Sequence, residues 1–191
     1  MIHRLANLMA SVFVSYGESS EENADIYAYA CEAVIAFLAN LSLSLVIALM
    51  FGRVREGLIF VLVFVWLRRY TGGYHAKTHF SCILAFSCIF AGTMALLSLA
   101  TWLEISGHLT LWFASLALIG IILFSVAEQK LQYLGMKKKK GIGLASVIFL
   151  FCFIDFYILN SQIGFALSLS MFSVFGSMAY AMVYKYLIAR G

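Results

Sequence analysis

The chain has 191 residues, of which 63% are hydrophobic, 12% charged and none proline, and its formal net charge is +4. Soluble globular domains carry roughly 25% charged residues, so this composition excludes an ordinary water-soluble enzyme and points to a protein that sits in lipid. The cations gather at the borders of apolar runs and not on one soluble face, so nucleic-acid binding is not suggested.

From the amino terminus, Ile2, Leu5, Met9, Val12, Phe13 and Tyr16 recur at helical spacing, with His3, Asn7, Ser11 and Ser15 on the other side. This pattern predicts an amphipathic helix at the membrane interface, lying on the lipid or packed on the spans. Residues 1–16 lack the uninterrupted apolar core and small-residue cleavage site of a signal peptide. Glu18, Glu21, Glu22 and Asp25 follow as an acidic linker, which solvates itself or balances basic groups on a partner. Residues 1–28 therefore form an N-terminal segment, and 29–191 a single all-α, polytopic membrane domain without apparent internal repeats.

A span needs about 20 apolar residues to cross roughly 30 Å of hydrocarbon. Six transmembrane helices are predicted, at about 29–50, 57–70, 81–101, 109–127, 142–159 and 164–186. The second is short: residues 57–70 cover only about 21 Å at 1.5 Å per residue, which leaves it tilted, re-entrant or extended into its polar flank. Lys and Arg in short loops mark the cytoplasmic side. The basic loop 128–141 carries Lys130 and Lys137 to Lys140, the 68–79 stretch carries Arg68, Arg69 and Lys77, and the tail carries Lys185 and Arg190. Loops 102–108 and 160–163 carry neither residue type, so six spans with both ends inside are expected. Arg53 and Arg55 stand against this topology, which puts them outside.

Chemistry concentrates in the segment 68–82, where two histidines, a thiol and three cations lie between two apolar runs. A thiol is nucleophilic as thiolate, a form favoured by nearby cations or a histidine, and Cys82 has Arg68, Arg69, His75, Lys77 and His79 upstream. A histidine can take the thiol proton and return it to a leaving amine, so Cys and His are a minimal set for cutting a peptide bond. Gly72 and Gly73 permit backbone conformations closed to other residues, fitting a bend that aims the base or a plain turn between spans. On one straight helix His75 would stand about 10.5 Å along the axis from Cys82, whereas His79 would be a near neighbour. His75, His79 and Cys82 could also present three metal ligands, although no acid between them serves as a base.

These residues carry a family resemblance. Arg69, Gly72, Gly73, His75 and Ala76, with Cys82 seven positions after the histidine, resemble the motif of AgrB, the accessory gene regulator endopeptidase of Gram-positive bacteria. The resemblance extends in length and span pattern over most of the chain. It implies a multi-pass cysteine endopeptidase of the bacterial cell membrane with its site on the cytoplasmic side. It also implies an AgrD-like quorum-sensing propeptide as partner, a homodimer, no cofactor and no metal. The catalytic pair would be His75 and Cys82, so the chain has to bend between them. The thiolate would cut off the propeptide's acidic C-terminal tail through an acyl-thioester, and the propeptide's own Cys would close a thiolactone ring. Arg68 or Arg69 would support the oxyanion or a substrate carboxylate, as would backbone N–H groups near Gly72 and Gly73. Glu32, near the start of the first span, is placed to orient the histidine or simply to solvate a helix start. Lys137, Lys138, Lys139 and Lys140 would bind anionic headgroups, the acidic tail, or both. Family members commonly carry prolines in this loop and the chain has none, which leaves the loop shape open. Two other readings remain, a small peptide exporter and a membrane acyltransferase.

Cys31, Cys88 and Cys152 lie in apolar runs, where a thiol packs as a small hydrophobe, and Cys88 is expected to point away from Cys82. Asp155 falls about 20 Å beyond Gly141 along a helix. It is therefore expected to make a polar contact between helices, to be a neutral acid, or to line a product path.

Overall fold

The computed structural model describes residues 24–72, 78–129, 135–159 and 162–188, together with Leu8 and Ser11. The expected amphipathic helix over residues 1–16 and the acidic residues Glu18, Glu21 and Glu22 lie outside the described residues. Those described form six helices: α1 (Ala24–Met50), α2 (Val54–Thr71), α3 (His79–Trp102), α4 (Ser106–Gln129), α5 (Gly135–Ile154) and α6 (Gln162–Ile188). A π-helical turn, Asp155–Leu159, closes α5. All but α2 are long and apolar enough to cross a membrane. Large apolar side chains stay exposed on their outer faces, among them Leu49, Leu123, Phe151 and Val183, as a lipid-facing surface allows. The chain is an all-helical, multi-pass membrane protein.

The short α2 reaches Val54 and Thr71, and its 18 residues extend about 27 Å. Arg55, Glu56, Arg68 and Arg69 at its two ends lower its apolarity, while one of its faces is buried in the bundle. Phe60, Val61, Phe64 and Leu67 are buried, and α2 packs on α1, α5 and α6. Ser170 of α6 donates its buried hydroxyl to the Phe60 carbonyl oxygen at 3.2 Å. Small residues let the backbones close up, as membrane helices require. Gly57 lies where an added Cβ would be 2.8 Å from that of Ala48. At Gly120 the Phe175 ring fills the place of a side chain, joining α4 to α6.

Arg53, one of the two arginines in the conflict of loop charge, is bonded within the bundle. Its Nε donates to Ser98 Oγ at 3.0 Å, and its Nη1 donates to Gln162 Oε1. The arginine thus ties the α1–α2 turn to the end of α3 and the start of α6, so it follows a local bonding demand and not the statistical loop rule. Arg53→Met is expected to lower stability by about 1.5–3 kcal/mol, the range for hydrogen bonds to a charged group, read as a lower Tm in detergent with helix content unchanged.

The opposite end of the bundle gathers the C-terminus of α2 and the start of α5. A Cβ on Gly141 would stand 3.1 Å from Thr71 Cγ2 and 3.2 Å from Tyr70 Cβ. Because α5 begins at Gly135, Lys137 to Lys140 belong to its first two turns and not to the loop expected over 128–141. Lysine stems suit a helix that emerges from lipid, since the chain lies along apolar surface while the charge reaches water.

Candidate active site

Two helix ends frame the thiol. Arg68 and Arg69 occupy the last turn of α2, and Gly72 stops it by donating its N–H to the Arg68 carbonyl oxygen at 2.9 Å. Gly72 has φ 78° and ψ −151°, a region essentially limited to glycine, and so it ends the helical path of α2. On the far side Thr78 restarts the helix. Its backbone is extended, at φ −128° and ψ 147°, and its side chain accepts from the Ser81 N–H at 3.2 Å. Cys82 sits in the first turn that this cap organises, where the partial positive charge of a helix start favours an anion.

The thiol is half-buried and free, and it opens onto a cavity of about 610 Å3 lined by residues of α2, α3, α4 and α6. A ladder of phenylalanines produces this space. Phe60 and Phe64 of α2 meet Phe90 and Phe86 of α3 at ring-centroid distances of 5.4 and 5.1 Å. Bulky rings hold the two backbones apart, and the room left beyond Phe64 and Phe86 runs to Cys82. Arg68 lines the same cavity, lies with its guanidinium 5.5 Å over the Phe64 ring, and interacts electrostatically with Cys82. Arg69 is exposed. Of the two arginines left open by the sequence, Arg68 is the one that shares the cavity lining with Cys82.

The histidine base is a different matter. Gly73 and His75, and the side chains of His79, Lys137 and Lys138, lie outside the described residues. The extended backbone at Thr78 means that no straight helix runs from 75 to 82, while His79 and Cys82 keep their three-residue spacing within α3. Lys139 and Lys140 are exposed at the same end of the bundle. Glu32 is half-buried on α1 beside the buried Cys31. Among the described residues no group of three or more His, Cys, Asp or Glu side chains is arranged to hold a metal ion.

Two cysteines differ from expectation or add to it. Cys88 lines the cavity with Cys82 instead of pointing away, because the cavity is wide enough to take in more than one face of α3. Cys152 is buried, with its thiol 3.6 Å from the Gly164 carbonyl oxygen. Asp155 is buried at the far end of α5, with its carboxyl group packed on Gly164 in the first turn of α6. There the positive end of the α6 dipole offsets the cost of an acid in lipid. Asp155 thus serves the far end of the bundle and not Cys82.

Sequence reasoning missed the cavity walls. Ser173, Gly176, Ser177 and Tyr180 recur at helical spacing on α6. That small-residue stripe was legible, but the same pattern also marks close helix contact.

The fold and site define a polytopic membrane protein with a half-buried thiol beside an arginine at the mouth of an intramembrane cavity. The chain belongs to the AgrB family, accessory gene regulator B, whose family model matches residues 6–184. No curated protein and no solved structure matches it closely enough to be called similar. Family membership gives it an accessory gene regulator role at the membrane.

Proposed function

We propose that the chain is a cysteine endopeptidase of the bacterial cell membrane that processes an AgrD-like propeptide. The observation that supports this most is the Cys82 thiol, set in the first turn of a capped helix, beside Arg68 and open to a cavity. His75 takes the Cys82 proton, and the thiolate attacks a backbone carbonyl of the propeptide. The C–N bond breaks, the leaving amine takes the proton from His75, and the acidic C-terminal tail departs. The amino-terminal part stays on Cys82 as an acyl-thioester. The propeptide's own Cys then attacks that carbonyl, releasing Cys82 and closing a thiolactone. One thioester replaces another, so the exchange needs no ATP. Arg68 offers donors for the oxyanion.

Four lysines in the first two turns of α5 oppose that helix's own dipole, so an anion beside them is favoured. The acidic tail and anionic headgroups both answer this description. The cations at this end of the bundle also support a cytoplasmic mouth. A homodimer is the family expectation that accompanies this reading.

Intact mass measurement of the purified protein in a membrane mimic, incubated with its propeptide, tests the proposal. Wild type is expected to gain the mass of the amino-terminal fragment as a thioester and to release the tail, while Cys82→Ala does neither. Binding of propeptide with no adduct and no cleavage would favour the exporter reading.

A further inference from the structure

We infer that the cavity beside Cys82 receives apolar side chains of the peptide segment acylated on that thiol, and that Gly92 and Gly176 set how large those side chains can be. This rests on the peptidase reading above and extends it to substrate selection. Attack by Cys82 leaves the amino-terminal fragment covalently fixed at the mouth, so its residues next to the thioester carbonyl lie within reach of the cavity. The volume of about 610 Å3 falls in the range of roughly 300–1,000 Å3 that encloses small ligands.

The walls select for apolar groups. Phe86, Ile89 and Leu96 from α3, and Leu169 and Phe172 from α6, are among the lining residues. The hydroxyls on the lining donate to their own helices: Thr93 to the Phe90 carbonyl oxygen, Ser173 to that of Leu169 and Ser177 to that of Val174, at 2.7–2.8 Å. Their protons are thereby committed, which makes the interior a poor host for peptide carbonyls and a good one for hydrocarbon. The peptide backbone is better served at the mouth, where Arg68 and the first turn of α3 lie.

Gly92 and Gly176 line the cavity from α3 and α6. No atom lies within 4 Å of a Cβ added at either position. A Cβ at either place meets open space, and a larger side chain would take up room in the pocket. Glycine at both places keeps the pocket wide.

The test uses the propeptide that forms the Cys82 adduct, with versions in which each bulky apolar residue before the scissile bond becomes Ala. Gly92→Leu and Gly176→Leu are expected to slow cleavage of the unaltered propeptide at least about ten-fold, the scale of steric discrimination in an apolar pocket. One of the Ala versions should restore it. Gly143→Leu, on α5 where a Cβ also meets nothing within 4 Å, serves as the control outside the cavity and should cleave like wild type. A second readout needs no propeptide: alkylation of Cys82, mapped by mass, should slow in both variants with N-phenylmaleimide but not with the smaller N-methylmaleimide. Normal cleavage by both variants, with the adduct intact, would mean that lipid and not substrate fills the cavity, overturning the inference but not the peptidase. Loss that no Ala version restores would also overturn it. If wild type forms no adduct, both readings fall, and the maleimide comparison still reports whether leucine narrows the cavity.

Discussion

Alanine at Cys82 is expected to reduce propeptide cleavage to background, a loss on the order of 10^6 of the kind seen when a covalent nucleophile is removed. Alanine at His75 should be nearly as severe, because an unassisted thiol is a poor nucleophile and the leaving amine then lacks its proton donor. His79→Ala is expected to keep most of the activity. Local spacing still favours His79, which opens α3 three residues before Cys82, so the assignment to His75 rests on the family motif. Thr78 ends α3 with an extended backbone and caps it through Ser81. Tail release, followed by mass for the three variants at equal protein level, decides the matter. Activity lost in the His79 variant and kept in the His75 variant would reverse the assignment. A profile in which Cys82→Ala still cleaves would end the thiol mechanism.

Leucine at Gly164 is expected to destabilise the bundle by about 3 kcal/mol, the upper range for overpacking a filled site. A Cβ at this position would be 2.8 Å from Asp155 Cγ and closer still to Oδ2, so the acid has to leave the α6 helix start that offsets its burial. In a chain of this size each kcal/mol lowers Tm by roughly 2–4 °C, measurable by thermal unfolding in detergent. The cause can be isolated with a double-mutant cycle. Gly164→Leu should cost clearly less when Asp155→Ala is already present, because the colliding carboxyl group has gone. Equal costs in both backgrounds would assign the damage to α5–α6 packing in general. Cleavage by folded Asp155→Ala protein is expected to continue, since Asp155 stands at the far end of the bundle from Cys82.

Membrane class and helical architecture were legible in the chain because both are local properties. Long apolar runs, scarce charge and the absence of proline dictate helices that satisfy their own backbone in lipid. The thiol and its histidines were equally legible, since they form a compact motif between two such runs. Other features depend on partners far away in the chain. Arg53 reads as a misplaced loop charge until Ser98 and Gln162 meet it. The short α2 reads as a doubtful span until one face is seen to pack on α1, α5 and α6, and helix packing, unlike hydropathy, is decided by residues tens of positions apart. Arg68 and Arg69 are adjacent and chemically alike, so only the rotation of α2 against α3 determines which one faces Cys82. The cavity belongs to no single segment: phenylalanines on two helices hold the backbones apart, and the small residues that keep the space open come from α3 and α6. The sequence thus carries the chemistry and the membrane, while the tertiary packing decides which side chains surround the thiol and how much room a substrate finds there.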